Sequence, residues 1–351
     1  MCKKNRRGTI CSVIPPYILH RIIANGTDEQ RHCAQQTLMH VQSLMVSHNP
    51  RPEPHEKLPA GQANRSIHDA AQQQQLPGKL VRAEGQPSKG DIAVDEAYSY
   101  LGVTYDFFWK IFQRNSLDAE GLSLTGTVHY GQDYQNAFWN GQQMVFGDGD
   151  GKIFNRFTIA LDVVAHELTH GITENEAGLI YFRQSGALNE SLSDVFGSMV
   201  KQYHLGQTAE QADWLIGAEL LADGIHGMGL RSMSHPGTAY DDELLGIDPQ
   251  PSHMNEYVNT REDNGGVHLN SGIPNRAFYL AAIALGGHSW EKAGRIWYDT
   301  LCDKTLPQNA DFEIFARHTI QHAAKRFNHT VADIVQQSWE TVGVEVRQEF
   351  L

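Results

Sequence analysis

The sequence is poor in cysteine, in positive charge and in long apolar runs. Three of its four cysteines fall within the first 33 residues (Cys2, Cys11 and Cys33), and Cys302 is remote from them, a spacing not typical of a disulfide framework. The formal net charge of -13 excludes nucleic acid as an expected partner, because phosphate binding needs a basic face. No apolar run is long enough to cross a bilayer, so no membrane partner is expected.

The first residues also lack the pattern of a secretory leader. The stretch MCKKNRRGTICSVIPPYIL starts with basic residues, but its apolar run is short and is interrupted by Pro15 and Pro16. No small-residue cleavage site follows it. We therefore expect no signal peptide, and either a cytoplasmic location or export by a signal-independent route.

What the sequence does contain is a metal-binding pattern, HELTH, within residues 163–175. On a helix, His166 and His170 lie one turn apart on the same face, and Glu167 is carried beside them. A catalytic zinc keeps three protein ligands and one open position, so a third ligand is expected downstream. Glu190 is the candidate, because it follows a polar, Gly-containing turn and precedes a renewed helical apolar pattern.

A chain with 18 histidines can match this spacing by chance, in which case the helix would be an ordinary one. The residues around Glu190 favour the metal site. Asp194 follows Glu190 by one turn and could accept the free ring N–H of a liganding histidine, which fixes the tautomer of that ring. Asn189 occupies a similar position beside the third ligand. We predict one zinc ion bound by His166, His170 and Glu190.

These segments resemble the thermolysin-like neutral metallopeptidases. The resemblance is carried by HELTH, AGLIY and SGALNESLSDVFG, and further by NAFWNG, GDGDG, LRSMS and DNGGVHLNSGI, and it runs from about Ile67 to the C-terminus. It implies a zinc-dependent endopeptidase in which a zinc-activated water attacks the peptide bond. Glu167 matches the general base of the family.

The resemblance also implies roles for residues that composition alone would not single out. Tyr181 and His268 match the donors that stabilise the oxyanion, and Asp263 is placed to orient and charge the ring of His268. Arg231, in LRSMS, matches the arginine that holds a substrate carbonyl. Without the resemblance, His268 would be read as a loop histidine and Arg231 as a surface cation.

Substrate binding is expected along NAFWNG, on an edge strand that adds an extended peptide as a further strand. Asn136 and the backbone of Ala137 are the candidate partners, with Trp139 nearby; the alternative is a packed aromatic strand. By resemblance, the pocket that follows the scissile bond is lined by Phe154, Phe157, Val163 and Leu230, which implies cleavage N-terminal to bulky hydrophobic residues. As isolated apolar residues, these four would be read as core.

One departure from the family concerns calcium. Family members often bind two calcium ions with acidic residues after the third zinc ligand. The matching positions here are Lys201, Leu215 and Ala218, with only Asp213 acidic. Because calcium needs several oxygen ligands and an ammonium group repels it, we predict that the double calcium site is absent and that Lys201 takes its place.

The expected fold class is α+β: a two-lobed thermolysin-like metallopeptidase with a β-rich N-terminal lobe (67–160) and an α-helical C-terminal lobe (161–351). A small helical propeptide (1–50) precedes it, followed by a Pro-rich linker (51–66) in which cleavage is expected. The resemblance to the protealysin-like subgroup implies that this propeptide is removed to give the mature enzyme. A permanent accessory hairpin is the alternative, and a DNA-binding helix-turn-helix is disfavoured by the position of its basic residues.

Two short helices are predicted in the propeptide. Pro15 and Pro16 suit a helix start, Gly26 suits a helix end, and Thr27 with Gln30 forms a capping box. The second helix is expected to bury a stripe formed by Cys33, Leu38, Val41, Leu44 and Met45. Residues 1–50 carry a charge of about +4 against about -17 for the remainder, so electrostatic docking on the body is expected.

Two further functions compete with an active endopeptidase made as a zymogen. An inactive binding or inhibitor module would not need intact HELTH, Tyr181 and His268, and a zinc deaminase or esterase would lack the NAFWN edge and Arg231. Inhibition by the propeptide is expected to be steric, with ligation of zinc by Cys11 or Cys33 as the alternative. The expected partners are peptide and protein substrates and the chain's own propeptide, and the chain is expected to be a monomer.

Overall fold

The computed structural model describes residues 11–46 and 58–346. Its first part contains strand β1 (Cys11–Ser12) and helices α1 (Pro16–Asn25) and α2 (Asp28–Val46). The capping box between the helices is present: Thr27 N–H donates to Gln30 Oε1 at 2.9 Å, and Gln30 N–H donates to Thr27 Oγ1 at 3.3 Å. The Pro-rich start and the reciprocal cap therefore give this segment its two helices.

The buried face of α2 differs from the predicted stripe. It consists of Ala34, Thr37, Leu38 and Val41, at helical spacing, whereas Cys33 is only partly buried. Placing Cys33 on the stripe was wrong, because Ala34 and Leu38 lie one turn apart and set the centre of the face one position later. The side chains of Leu44 and Met45 lie outside the described residues.

A six-stranded sheet forms the strand-rich part, in the order β1-β5-β6-β4-β2-β3. Its further members are β2 (Arg65–Asp69), β3 (Lys79–Ala83), β4 (Leu124–Val128), β5 (Ala137–Trp139) and β6 (Met144–Phe146). Helix α3 (Ile92–Phe112) packs on this sheet; the Asp91 side chain caps its start by accepting from Val94 N–H at 3.2 Å. Strand β5 would be the sheet edge if β1 did not pair with it.

The second part of the chain is mainly helical. Its helices are α4 (Leu161–Asn175), α5 (Arg183–Leu205), α6 (Asp263–Asn270), α7 (Gly272–Leu285), α8 (Ala293–Leu301), α9 (Phe312–Arg326) and α10 (His329–Thr341). Short strand pairs join β7 (Leu215–Ile216) to β8 (Arg231–Ser232) and β9 (Asp241–Asp242) to β10 (Gly246–Ile247). Among the described residues, no helix combines the length and apolar character needed to span a bilayer.

Helices α4 and α5 pack closely side by side. A Cβ atom built on Gly197 would lie only 2.5 Å from the carbonyl oxygen of Asp162, so the approach requires glycine there. Helix α5 begins at Arg183. Residues 183–187 therefore belong to this helix and not to the turn that the sequence predicted before Glu190. The Ser185 hydroxyl donates to the carbonyls of Ile180 and Phe182 at 2.6 and 2.9 Å, which satisfies acceptors at this helix start.

Candidate metal centre and substrate cleft

Three ligand atoms converge where α4 faces α5. The Nε2 atoms of His166 and His170 are 3.1 Å apart, and Glu190 carboxylate oxygens lie 3.4 Å from the first and 3.5 Å from the second. All three side chains are buried. Ligand atoms about 3.3 Å apart are the edges of a tetrahedron with metal–ligand bonds of about 2.0 to 2.1 Å, so the spacing fits zinc.

Each histidine is oriented through its other ring nitrogen. Nδ1 of His166 lies 2.8 Å from Asp194 Oδ1, and Nδ1 of His170 lies 2.8 Å from Asn189 Oδ1, with Ser193 Oγ at 3.1 Å. An acceptor at Nδ1 places the proton there and leaves the Nε2 lone pair for a metal. The contact of Asp194 is the one that the sequence predicted, whereas for Asn189 the sequence indicated only a place beside the third ligand.

The ionisation of His170 and Glu190 suits a cation, whereas at His166 burial is outweighed by Asp194 and Glu190, which raise the pKa of that ring to about 9. Burial lowers the pKa of His170 to about 4, so its ring is neutral. Burial would raise the pKa of Glu190, but the charge of His268 and the interaction with His166 hold it well below its ordinary value. The carboxylate atom Glu190 Oε2 is buried and has no hydrogen-bond partner among the described residues, which a metal ion at this point would provide.

Asp194 connects the histidine to the arginine of LRSMS. Besides His166, it accepts from Arg231 Nε at 2.9 Å and Nη2 at 2.8 Å, and from Asn275 Nδ2 at 2.8 Å. Burial opposes ionisation, but the charge of Arg231 and the hydrogen bond to His166 lower the pKa of Asp194 to about 2. The sequence analysis did not identify Asn275 as part of the site. The available signal was an asparagine at a buried position of an otherwise apolar helix.

Glu167 lies beside the ligands without being one of them. Its Oε2 atom accepts the N–H of Trp139 at 3.0 Å, while Oε1 has no hydrogen-bond partner among the described residues. Burial raises the pKa of Glu167 to about 8, although the charge of His166 opposes the shift. A carboxylate of this basicity can accept a proton near neutral pH.

Tyr181 and His268 stand together on the other side of Glu190. The Tyr181 hydroxyl hydrogen-bonds to Glu190 Oε1 and lies 3.3 Å from His268 Nε2, and His268 Nδ1 lies 2.6 Å from Asp263 Oδ1. Burial lowers the pKa of His268, but Asp263 and Glu190 outweigh it and raise the pKa to about 9. The ring is therefore a cationic donor.

A local turn brings Asp263 back to this ring. Asn264, Gly265 and Gly266 have φ values of 50°, 84° and 78°, so the NGG sequence supplies the left-handed conformations that the turn needs. Asp263 Oδ2 also accepts the backbone N–H of His268 at 2.9 Å. The turn thus fixes both residues of the pair.

Residues 11–14 of the N-terminal segment lie in the cleft as an added strand. Cys11 and Ser12 pair antiparallel with Trp139 and Phe138 of β5. Val13 N–H then donates to the Ala137 carbonyl at 3.2 Å. This edge is the one that the sequence predicted for substrate.

The remaining polar groups of residues 12–14 are bound by the predicted substrate residues. The Asn136 side chain accepts Ile14 N–H at 3.0 Å and donates to the Ile14 carbonyl at 3.3 Å. Arg231 Nη1 donates to the Val13 carbonyl at 3.3 Å, and His268 Nε2 lies 3.2 Å from the Ser12 carbonyl oxygen. The Ser12–Val13 peptide bond therefore lies between His268, predicted to be an oxyanion donor, and Arg231.

The residues expected to line the pocket after the scissile bond are all fully buried. Val13 and these residues (Phe154, Phe157, Val163 and Leu230) belong to one apolar cluster. The Phe154 and Phe157 rings pack with centroids 5.9 Å apart. All four residues are thus buried, and Leu230 directly precedes Arg231, which binds the Val13 carbonyl.

Lys201 lies where the calcium ligands were sought. Its Nζ atom is 3.3 Å from Asp162 Oδ2, 2.9 Å from Asp213 Oδ2 and 3.5 Å from the Leu215 carbonyl. Burial would lower the pKa of Lys201, but Asp162 and Asp213 raise it above its ordinary value, so the ammonium is retained. Ala218, the remaining matched position, has no side-chain oxygen to offer.

The described cysteine and ion pair of the N-terminal segment bear on how the segment docks. Cys33 lies on α2, where burial and the charges of Asp133, Asp150 and Glu29 raise the pKa of its thiol; it is not among the residues at the metal centre. The side chains of Cys11 and Cys2 lie outside the described residues. The ion pair described between this segment and the body joins Lys152 to Glu29 at 2.6 Å, with the cation on the body. Four of the six basic residues behind the predicted electrostatic docking, Lys3, Lys4, Arg6 and Arg7, lie outside the described residues.

The sequence matches three known families. Residues 57–174 match the thermolysin metallopeptidase catalytic domain, residues 177–344 match the thermolysin metallopeptidase alpha-helical domain, and residues 11–53 match the protealysin propeptide. Together these matches cover most of the chain.

Three known relatives are similar to this chain over nearly their full length. An extracellular metalloprotease of Pectobacterium carotovorum subsp. carotovorum is 98% identical over 97% of this chain and 99% of that protein. Protease PrtS of Photorhabdus sp. (strain Az29) is 52% identical over 96% of this chain and 93% of that protein. The solved structure of the precursor of protealysin, a metalloproteinase from Serratia proteamaculans, is 67% identical, covers 95% of this chain and 100% of that one, and superposes with a TM-score of 0.90.

Proposed function

This chain belongs to the thermolysin family of metallopeptidases and carries a propeptide of the protealysin type, and we propose that it is a zinc endopeptidase whose propeptide fills its own substrate cleft. The observation that carries the proposal is the position of the Ser12–Val13 bond. It lies on strand β5 between His268 and Arg231, beside the His166, His170 and Glu190 cluster. A peptide held in this way is what an endopeptidase must bind.

His166, His170 and Glu190 would hold the zinc ion, with Asp194 and Asn189 fixing the two rings. When bound there, zinc supplies a Lewis acid that polarises the scissile carbonyl and lowers the pKa of water. Glu167 takes the proton of the attacking water, because its raised pKa and unpaired Oε1 atom suit a general base. It then delivers that proton to the leaving nitrogen.

Tyr181 and His268 donate hydrogen bonds to the oxyanion that develops at the scissile carbonyl. His268 is suited to this role because Asp263 keeps its ring charged and fixes its direction. The Ser12 carbonyl oxygen, 3.2 Å from His268 Nε2, stands in for the substrate carbonyl. Burial of the whole group strengthens each of these interactions.

The substrate backbone is held in the same pattern as residues 12–14. The Ala137 carbonyl accepts the N–H of the residue after the scissile bond, and Arg231 donates to the carbonyl of that same residue. The Asn136 side chain binds both the N–H and the carbonyl of the following residue. Trp139 contributes its backbone N–H, which holds Glu167 in place. Together these groups select an extended peptide.

The side chain after the scissile bond enters the apolar region lined by Phe154, Phe157, Val163 and Leu230. Val13 occupies that position in the precursor and is fully buried. A pocket of this kind favours bulky apolar residues, since each buried methylene contributes about 0.8 kcal/mol. We propose cleavage on the N-terminal side of such residues.

We propose that activation separates residues 1–50 from the enzyme by cleavage within residues 51–66. The propeptide match ends at residue 53 and the catalytic match begins at residue 57, which supports a boundary there. The body then consists of a strand-rich part (67–160) and a helical part (161–351). Cleavage lets residues 11–14 leave the cleft, and substrate takes their place.

Three further properties follow from the site and the relatives. Lys201 holds Asp162 and Asp213 in place of a calcium pair, so we propose that the double calcium site is absent. The name of the Pectobacterium relative says that it is extracellular, so we propose that this chain is exported. We propose that the mature enzyme acts as a monomer on peptide and protein substrates.

Glu167→Gln tests the proposal. Loss of the proton acceptor should lower kcat for a furylacryloyl peptide by about 10² to 10⁴-fold while leaving the zinc content at one equivalent in this centre. The matched control is Glu340→Gln, an exposed glutamate on α10, which should retain full activity. Undiminished cleavage by the Glu167 variant would overturn the proposal, as would wild-type activity that resists zinc removal by a chelator.

A further inference from the structure

A second group of metal-ligand side chains lies away from the cleft. Among residues 11–46 and 58–346, two groups bring three ligand atoms within 4.8 Å of one another: the cleft group, and Asp303, His318 and His322. His318 and His322 are one turn apart on α9, in HTIQH, which repeats the histidine spacing of HELTH. Asp303 precedes α9 in the segment that follows α8.

The three side chains converge on one point. Asp303 Oδ2 lies 3.0 Å from His318 Nδ1 and 3.0 Å from His322 Nε2. These separations approach the 3.1 to 3.5 Å between the ligand atoms of the cleft group. They are short by a few tenths of an ångström for the edges of a tetrahedral zinc site, an adjustment that partly exposed side chains can make.

Asp303 is held in the direction that such a site needs. Its other oxygen, Oδ1, accepts the backbone N–H of Thr305 at 2.8 Å and the Thr305 hydroxyl at 2.7 Å. The carboxylate plane is thereby fixed with Oδ2 facing both imidazoles. A ligating carboxylate that is itself hydrogen-bonded is the usual arrangement at metal sites.

We propose that Asp303, His318 and His322 form a second, peripheral site for a divalent transition metal of the zinc type. Two imidazole nitrogens and one carboxylate oxygen select zinc, cobalt, nickel or copper over calcium and magnesium, which require oxygen ligands. The side chains are 14 to 20% exposed, so water can complete the coordination.

The ion would join the 303–310 segment to α9, and that segment supports the active centre. Within it, the Gln308 carbonyl accepts the N–H of Ile180 at 2.7 Å, and Lys304 pairs with Glu176. Ile180 directly precedes Tyr181. Occupation of the site therefore stabilises the backbone from which the Tyr181 hydroxyl is presented, and its role is structural.

The test counts zinc in the untagged full-length chain after equilibrium dialysis against buffered zinc. Wild-type protein should bind two equivalents, and His322→Ala should bind one. Asp303→Asn, which keeps the shape of the side chain, should also lose one equivalent. His329→Ala, an exposed histidine on α10, should keep both. His170→Ala should lose the equivalent in the cleft and keep the peripheral one, which separates this site from the proposed catalytic centre.

Thermal unfolding provides the second readout. Added zinc should raise the Tm of the His170→Ala chain, and the rise should vanish when His322→Ala is combined with it. Variants are compared without metal first, so that a fold lost through substitution is recognised from a lower metal-free Tm. The proposal is overturned if both His322→Ala and Asp303→Asn keep the wild-type zinc content, or if His170→Ala binds no zinc.

Discussion

Oδ1 of Asp194 lies 2.8 Å from Nδ1 of His166, and the same carboxylate holds Arg231 by two hydrogen bonds. One buried group therefore orients a proposed zinc ligand and a proposed substrate-binding cation at once. Removing its charge must affect both, because the histidine loses its acceptor and the buried guanidinium loses its counter-ion.

We predict that Asp194→Asn weakens zinc binding by about 10 to 100-fold and raises KM for peptide substrates. An amide cannot compensate the charge of Arg231, and it presents an N–H as readily as an oxygen to His166. Zinc affinity is measured by competition with a chromogenic chelator. Asp333→Asn, an exposed change on α10, is the control. Equal zinc affinity in Asp194→Asn and wild type would contradict the assigned orientation.

The metal cluster could be predicted because its information is local. The spacing of HELTH places two rings on one helix face, and the helical pattern around Glu190 supplies a second element to meet it. The capping box at Thr27 and Gln30 and the NGG turn before His268 are local in the same sense. In each case the side chains that interact lie within five residues of one another or on helices joined by a single turn.

The contacts that sequence reasoning missed join distant residues through geometry that no pattern encodes. Asn275 bonds to Asp194 across 81 positions. Ile14 bonds to Asn136 across 122 positions. The strand β1 that precedes Ile14 has only two residues, which is too short to show an alternation of apolar and polar side chains. The Lys152–Glu29 pair, with its cation on the body, is likewise a contact that net charge does not predict.

We predict that Ile14→Pro releases inhibition in the precursor. Proline has no N–H to donate to Asn136 Oδ1. Loss of this buried hydrogen bond should weaken docking by about 1 to 3 kcal/mol and so raise the initial rate of the unprocessed chain by roughly 5- to 150-fold. The rate is measured on a short fluorogenic peptide before processing, which is followed by gel electrophoresis. Ile14→Leu is the matched control and should remain latent.

The same assay separates steric blocking from ligation by a thiol. Replacing Cys2, Cys11 and Cys33 together by Ser should leave latency unchanged if the backbone of residues 11–14 blocks the cleft. Activity that appears in the triple variant while Ile14→Pro stays latent would favour the thiol instead.

We predict that docking of α2 weakens in acid because of His40. Its Nδ1 lies 3.0 Å from the Tyr134 hydroxyl and its Nε2 lies 3.0 Å from the Tyr130 hydroxyl, with the Phe138 ring centroid 5.7 Å away. Burial lowers the pKa of His40 below its ordinary value of 6.5. The undocked helix thus binds more protons, so docking is strongest above pH 6.5 and is lost as pH falls through the lowered pKa.

Hydrogen exchange of α2 in the Glu167→Gln precursor measures this effect. Protection factors, which correct for the intrinsic pH dependence of exchange, should fall as the pH is lowered from neutral through the lowered pKa of His40. His40→Phe keeps a ring in the cluster without a titratable group, so its protection should change less over the same range. If both chains lose protection equally, another group controls the docking.

Finally, we predict that Lys201 replaces calcium as the counter-charge between α4 and the loop after α5. Asp162 is fully buried, so Lys201→Met leaves a buried carboxylate uncompensated and should cost about 3 kcal/mol of unfolding free energy. Urea denaturation of the Glu167→Gln chain, which cannot digest itself, measures this loss. Lys325→Met, exposed on α9, should change the free energy by less than about 0.5 kcal/mol. With zinc present throughout, millimolar calcium should stabilise the chain that retains Lys201 no more than magnesium does. A rise in the denaturation midpoint of that chain that only calcium produces would contradict the prediction that Lys201 takes the place of calcium.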